Sequence, residues 1–355
     1  MSWLLVVVAT ALVLLTVWIV VPAPAIWAVA LSIAASELSP LFLAAAMATA
    51  ALAWRFGGSM RVATISLSVL AAGLCLLPIV RYPREAPLSL TRLVRGLETG
   101  DAIVHRGLSV NAASLLTADV YQPSSGDRHP ILIQIYGGAW QRGSPGDDAS
   151  FATYLASRGY AVFAIDYRHA PAAKWPSQVD DVRAAIAWVR AHAADYQADA
   201  SRIAIIGRSA GAQLAMLAGF TDPAIKGVIS YYGPVNLERG WREPPRPDPI
   251  GSRPVLEAYL GGTPDQVPDR YIAASPIQYV NAKVPPTLLI YGTRDHIVQS
   301  KYGRDLHAKL VAAGAVSELV EIPWADHAFD AIAGGLSGQL SLWHTEQFLQ
   351  RVLQR

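Results

Sequence analysis

Ser209 stands between two glycines in Gly207-Arg208-Ser209-Ala210-Gly211, directly after an apolar run that reads as a strand and directly before a helical pattern. A sharp strand-to-helix turn forces such a serine into a strained backbone conformation and lifts its hydroxyl clear of the sheet, while a Cβ at 207 or 211 would collide with neighbouring backbone. The five-residue frame alone is weak, because with glycine at about 7% of residues it arises by chance in roughly one chain in ten of this length. Gly335-Leu336-Ser337-Gly338, which lacks the last glycine and a preceding strand, shows the accidental version. A serine hydroxyl becomes a nucleophile only when a base takes its proton, and the base needs a carboxylate to fix its tautomer. Both should follow in the order serine, acid, histidine, each just past a later strand. Asp295 lies four residues beyond the run at 287–291 and His327 five residues beyond the run at 317–322, so the three fall in that order.

Rivals stand beside each partner. His296 adjoins Asp295 but precedes the final strand, which makes it a structural or rim residue; Asp326 and Asp330, near His327, read as loop acids. The remaining histidines show no paired spacing, and with a single cysteine and no His-Glu-x-x-His a structural metal or catalytic zinc is not expected. Attack on a carbonyl gathers charge on its oxygen, which needs preorganised N–H donors. One is the amide of Ala210, after the serine; the others are expected from Gly137 and Gly138 in "IYGGAW", a glycine pair that ends the strand at 131–136. Neither a Gly-x-Gly-x-x-Gly opening a helix nor a Gly-Lys-Ser/Thr accompanies that pair, so a phosphate-binding role is set aside.

These residues need a scaffold, and the pattern from about residue 100 supplies one. Strands are expected at about 103–110, 117–122, 131–136, 161–166, 202–207, 227–232, 287–291 and 317–322, with helices at about 147–158, 177–193, 209–219, 299–313 and 337–353. Alternation of this kind implies crossover connections and a mainly parallel, doubly wound sheet. Residues 233–275, with "REPPRPDPIGSRP", are too long for an ordinary connection and read as a lid insertion or a disordered surface excursion.

The first eighty residues are of another kind. Of 29 Lys+Arg and 27 Asp+Glu, this stretch holds only Glu37, Arg55 and Arg61. Residues 3–21 and 62–80 are uncharged apolar runs that match a hydrocarbon core of about 30 Å. A single helix over 25–54 would bury Glu37 and Pro40 mid-membrane, so a third span is placed at about 38–54, leaving 25–37 as an interfacial or re-entrant piece. The organisation expected is a membrane segment at 1–80, a linker at 81–99 and a catalytic domain at 100–355. Arg81, Arg84, Arg92 and Arg95 follow the last span against Arg55 and Arg61 beside the earlier loop, which favours a multi-pass protein with a cytoplasmic catalytic domain. The rest of the chain is nearly neutral, without basic runs or aromatic-basic interleaving, so nucleic acid is not an expected partner.

Together these features make the chain resemble an α/β-hydrolase, and more closely the carboxylesterases related to hormone-sensitive lipase and the acetyl-esterase and feruloyl-esterase-like group. The resemblance covers about residues 100–355 and rests on the loop at 136–140, "IDYRHAPAAKWPSQVDDVRAAIAWV" at 165–189, "GRSAG" at 207–211, "YYGPVNL" at 231–237, "YGTRDHIV" at 291–298 and "DHAF" at 326–329. It implies an eight-stranded, mostly parallel sheet flanked by helices, Ser209 as nucleophile, Asp295 as acid and His327 as base, with Gly137, Gly138 and Ala210 around the oxyanion. Two departures stand out. Relatives usually carry histidine where this chain has Tyr136 and an acidic residue where it has Arg208; the arginine either favours an anionic acyl group or pairs with a nearby carboxylate such as Asp166. Trp140, Trp241, Tyr259 and Trp324 are further pocket candidates. The function expected is a membrane-anchored serine carboxylester hydrolase acting on a small-molecule ester of small or medium acyl length, without a cofactor. A serine peptidase or amidase using the same triad, or a non-catalytic partner-binding fold, is the alternative.

Overall fold

A computed structural model describes residues 2–111 and 115–353. The apolar N-terminal runs form helices α1 (Ser2–Thr16), α3 (Ser39–Phe56) and α4 (Arg61–Arg81). With their flanking turns, Ser2–Ile19, Ser39–Phe56 and Gly58–Arg81 are three helices long and apolar enough to cross a membrane, within a few residues of the expected spans. They meet through Leu12, Ala46 and Ala71, where the two alanines let the helix backbones approach closely.

Helix α2 (Ile26–Glu37) lies between the first two spans. It was expected as an interfacial or re-entrant piece; one face of it packs on the domain that carries the sheet, with Ala28, Val29 and Ile33 against Ala328 and Ile332. Its last residue carries the contact furthest. Glu37 Oε2 accepts from the amides of Ser337 at 2.6 Å and Gly338 at 3.3 Å. Those amides belong to the first turn of the C-terminal helix (Leu336–Leu353), where unpaired N–H groups and the helix dipole favour an anion. Burial nevertheless pushes the Glu37 carboxyl up to about 8 against these bonds. The stretch expected as a linker contains helix α5 (Leu90–Arg95), whose cap Ser89 is held by Gln339 Oε1 at 2.8 Å.

The sheet follows from runs such as 131–135 and 161–165, apolar on both faces and fully buried, as central parallel strands are. Its strands are β1 (Ala102–Asn111), β2 (Leu116–Pro123), β3 (His129–Ile135), β4 (Ala161–Ile165), β5 (Ala198–Arg208), β6 (Ile225–Tyr231), β7 (Thr287–Gly292) and β8 (Ser317–Ile322). Their order is β1-β2-β4-β3-β5-β6-β7-β8. The first two pairings are antiparallel and the rest parallel, so β3, β5, β6, β7 and β8 all end on one edge. This is the eight-stranded, mostly parallel sheet of the α/β-hydrolase fold. Its crossovers are α6 (Ala149–Ser157), α7 (Ser177–His192), α8 (Ala210–Thr221) and α12 (Ser300–Ala312), and α13 (Leu336–Leu353) closes the chain. The insertion at 233–275 is ordered into three short helices, α9 (Leu237–Arg242), α10 (Ser252–Leu260) and α11 (Pro268–Ala273). It hangs over the carboxyl ends of the strands, where open α/β sheets take their ligands.

Candidate active site

Ser209 occupies the turn between β5 and α8 with φ 52° and ψ −118°, a conformation that a residue with a Cβ rarely adopts. Its amide donates to Tyr231 O at 2.9 Å, which holds the turn to β6. The flanking glycines are required by contact. A Cβ at Gly207 would stand 2.2 Å from Gly211 O, and one at Gly211 would stand 2.2 Å from Tyr136 O. The serine turn therefore rests directly on the loop after β3.

Asp295 and His327 arrive from the loops after β7 and β8. His327 Nε2 lies 2.9 Å from Ser209 Oγ, and His327 Nδ1 lies 2.8 Å from Asp295 Oδ2. A carboxylate against Nδ1 makes that nitrogen the donor and leaves Nε2 free to accept the serine proton. Asp295 Oδ1 accepts from the amides of Ile297 and Val298, each at 2.7 Å, so the carboxylate cannot swing away. Burial pushes its pKa up, an effect that the facing His327 opposes.

The neighbouring acids, expected as loop acids, lie in the stretch after β8 and are both bound. Asp326 has a fully buried side chain that accepts from the His327 amide at 2.7 Å, the His296 amide at 3.1 Å and His296 Nδ1 at 2.8 Å. His296 is thereby held in a structural pair, as expected. Asp330, less deeply placed, meets the Arg208 guanidinium at 2.5 Å and accepts from the Tyr232 hydroxyl. Arg208 also faces Asp148 at 3.1 Å and lies over the Phe151 ring at 4.4 Å. Burial alone would lower its pKa, but Asp148 and Asp330 outweigh that and hold it above the ordinary arginine value. Arg208 thus borders the cleft with its charge already paired. The partner expected from sequence, Asp166, is engaged elsewhere.

Asp166 belongs to Tyr136. The tyrosine hydroxyl donates to Asp166 and lies 2.9 Å from His169 Nε2, and its ring stacks on Tyr167 at 4.5 Å. Tyr167 in turn donates to Gly137 O at 3.0 Å. Tyr136 is therefore the post on which the glycine loop stands, although it also edges the cleft. Gly138 has φ +106° and a Cβ there would sit 2.0 Å from Arg142 O, while a Cβ at Gly137 would come to 3.1 Å from Arg208 O and 3.4 Å from Ser209 Cβ. Ala139 continues the loop with φ 56° and lines the pocket beside Ser209 and Ala210. Sequence reasoning passed over Ala139; its small side chain directly after two glycines was the available signal.

Two spaces meet at Ser209. One is a narrow apolar cavity of about 70 Å³ lined by Trp140, Ala210, Val235, Leu256 and Val298. The other is an open cleft of about 640 Å³ that contains His327 and Tyr232 and is bordered by Arg142 and Ile26. Trp140 lines the cavity as expected, with Nε1 donating to Gln213 Oε1 at 3.0 Å and its ring stacked on buried Tyr259 at 4.2 Å. Tyr259 supports that wall rather than lining it, and Trp241 donates to Glu257 at 2.8 Å outside it. Trp324 is a correction. It is buried, stacks on Tyr82 and donates to Ser337 Oγ at 2.9 Å, facing Ile19, Val20 and Leu77 of the apolar N-terminal segment and lining neither space at Ser209. Leu237, Gly240 and Leu256 of the inserted helices roof the cavity.

The family model described as BD-FAE matches residues 118–310. Among curated proteins, the chain is similar to the esterase LipC of Mycobacterium tuberculosis, 34% identical over 227 residues that make up 59% of this chain and 55% of LipC. The chain spans about half the length of the curated relatives it matches. Among solved structures it resembles the thermophilic esterase Est2 of Thermogutta terrifontis, 27% identical with a TM-score of 0.56, covering 71% of this chain and 92% of that one. The carboxylesterase EstE1 from a metagenomic library, at 24% identity and a TM-score of 0.64 over 73% of this chain and 92% of EstE1, shares the fold.

Proposed function

Because the chain belongs to the BD-FAE family, we propose that it is a serine carboxylester hydrolase, working through an acyl-enzyme on small or medium acyl esters and anchored in a membrane by its N-terminal helices. The observation that carries this reading is the unbroken hydrogen-bonded chain from Asp295 through His327 to Ser209 Oγ at the strained turn. The esterases among the relatives support it.

In this reading Ser209 Oγ bonds to the ester carbonyl carbon while its proton passes to His327 Nε2. The charge that collects on the carbonyl oxygen is met by backbone N–H groups of the loop at Gly137, Gly138 and Ala139 and by the amide of Ala210, an unpaired donor at the start of α8. Collapse breaks the bond to the alcohol oxygen, which takes the proton from His327. Water then repeats the sequence on the acyl-enzyme, releasing the acid and restoring Ser209. Asp295 holds the Nδ1 proton and stabilises the imidazolium formed at each stage.

The full-length chain in detergent should hydrolyse p-nitrophenyl acetate and butyrate, and Ser209→Ala should lower the rate by about 10³-fold or more. Full activity in Ser209→Ala defeats the proposal. A higher kcat/KM on aminoacyl p-nitroanilides than on esters would replace it with a serine peptidase. The arginines after the last span favour a cytoplasmic catalytic domain; protease accessibility of that domain in sealed vesicles tests the placement.

A further inference from the structure

The two spaces at Ser209 are told apart by proton transfer. His327 must return its proton to the departing alcohol oxygen, so the alcohol part of the ester occupies the space that contains His327. That space is the cleft of about 640 Å³. The acyl part is left with the apolar cavity of about 70 Å³ against Trp140. The cavity is about a ninth of the cleft's volume, so the smaller part of the ester, a short acyl group, is the part it takes.

The alcohol cleft has one border from the membrane segment among the described residues, Ile26 of α2. Its position relative to a bilayer follows from connectivity. With spans at Ser2–Ile19, Ser39–Phe56 and Gly58–Arg81, residues 20–38 and the catalytic domain fall on the same side. The seven-residue step from Ile19 to Ile26 reaches at most about 25 Å. At the other end α2, 12 residues and therefore about 18 Å long, runs straight into the second span. The cleft mouth is thus held within about 25 Å of the bilayer surface from one end and about 20 Å from the other.

Beside the cleft border at Ile26, itself 49% exposed, the face of α2 that does not pack on the catalytic domain is apolar and uncovered, with Trp27 57% exposed and Val20, in the turn before the helix, 45% exposed. Trp27 meets Trp18 edge-on at 5.5 Å, two indoles at the level where tryptophans collect in membranes. An exposed apolar helix face tied at both ends to spanning helices is covered by lipid.

We infer that the alcohol cleft opens onto the bilayer interface and that the enzyme removes a short acyl group from a hydroxyl of a membrane-resident amphiphile. This rests on the esterase reading above. The ester C–O bond breaks, the acyl group passes to Ser209 Oγ, and the alcohol oxygen takes the His327 proton and stays in the bilayer. Water then cleaves the acyl-enzyme and the short acid leaves into solution.

The test reconstitutes the full chain into phosphatidylcholine vesicles containing 1-palmitoyl-2-oleoyl-3-acetylglycerol and measures acetate release, with p-nitrophenyl acetate assayed in parallel. Acetate release from the amphiphile is expected, and Trp27→Asp should lower it tenfold or more while p-nitrophenyl acetate turnover stays within twofold. Hydrolysis of p-nitrophenyl acetate with the amphiphile untouched overturns the inference and leaves the esterase reading standing; loss of both substrates in the wild-type chain overturns both. If Trp27→Asp slows the two substrates equally, a second measurement decides. Cys75, the only cysteine, is buried, so Trp27→Cys takes a bimane label selectively. Quenching by brominated lipid supports the inference, and quenching by aqueous iodide alone overturns it.

Discussion

Glu37→Gln removes a titrating carboxyl from the seam between α2 and α13 while keeping an acceptor for the Ser337 amide. The folded-state carboxyl titrates at about 8 against an ordinary value of 4.5. Below about pH 4.5 the group is protonated whether or not the seam is closed, and it costs nothing. Between 4.5 and 8 the opened state ionises while the closed state stays protonated, so stability falls as pH rises, by about 1.4 kcal/mol per pH unit. The total across that window is about 5 kcal/mol, which at about 2–4 °C per kcal/mol corresponds to ~10 °C or more in apparent Tm. Thermal unfolding of the detergent-solubilised chain between pH 5 and 8.5 should show this decline in wild type and a nearly flat profile in Glu37→Gln, with the variant the more stable at pH 8. Parallel profiles, or a wild type that gains stability over the window, would refute the reasoning.

Asp295→Asn should leave substrate affinity nearly unchanged and lower kcat by about 10⁴-fold on p-nitrophenyl acetate, because the amide no longer enforces the donor at Nδ1. Arg208→Met leaves the partly buried Asp148 and Asp330 facing each other without their cation and should destabilise the chain by about 2–3 kcal/mol in denaturant unfolding. Gly211→Ala drives a Cβ into the Tyr136 carbonyl, 2.2 Å away, and should cost about 1–3 kcal/mol together with most of the esterase rate.

The catalytic core of this fold is written locally. The Ser209 turn, the glycine loop and the strands that end beside them are each readable from a few adjacent residues, since strain, small size and apolar runs are properties of short segments. The three apolar spans were legible for the same reason. What escaped were side chains whose partners are set by packing. Arg208 was offered Asp166, just past β4, yet its carboxylates come from positions 60 and 122 residues away, at Asp148 and Asp330. Trp324 lies three residues before His327, yet it packs beside Ile19, Val20 and Leu77 of the apolar N-terminal segment, a neighbour set that no local pattern announces. Glu37 read as an awkward charge in an apolar stretch; the helix end that receives it is 300 residues downstream.

Asp326 gives the active site a mechanical property. One carboxylate grips the backbone beside His327 and both the backbone and ring of His296, the residue next to Asp295. The acid and the base are thus carried by a single clasp across two loops, and neither can drift without dragging the other. Thermal agitation that loosens this end of the sheet moves the pair as one body relative to Ser209, so the first distance to lengthen is the gap between His327 and the serine. Loss of turnover on warming should accordingly precede any loosening between His327 and Asp295.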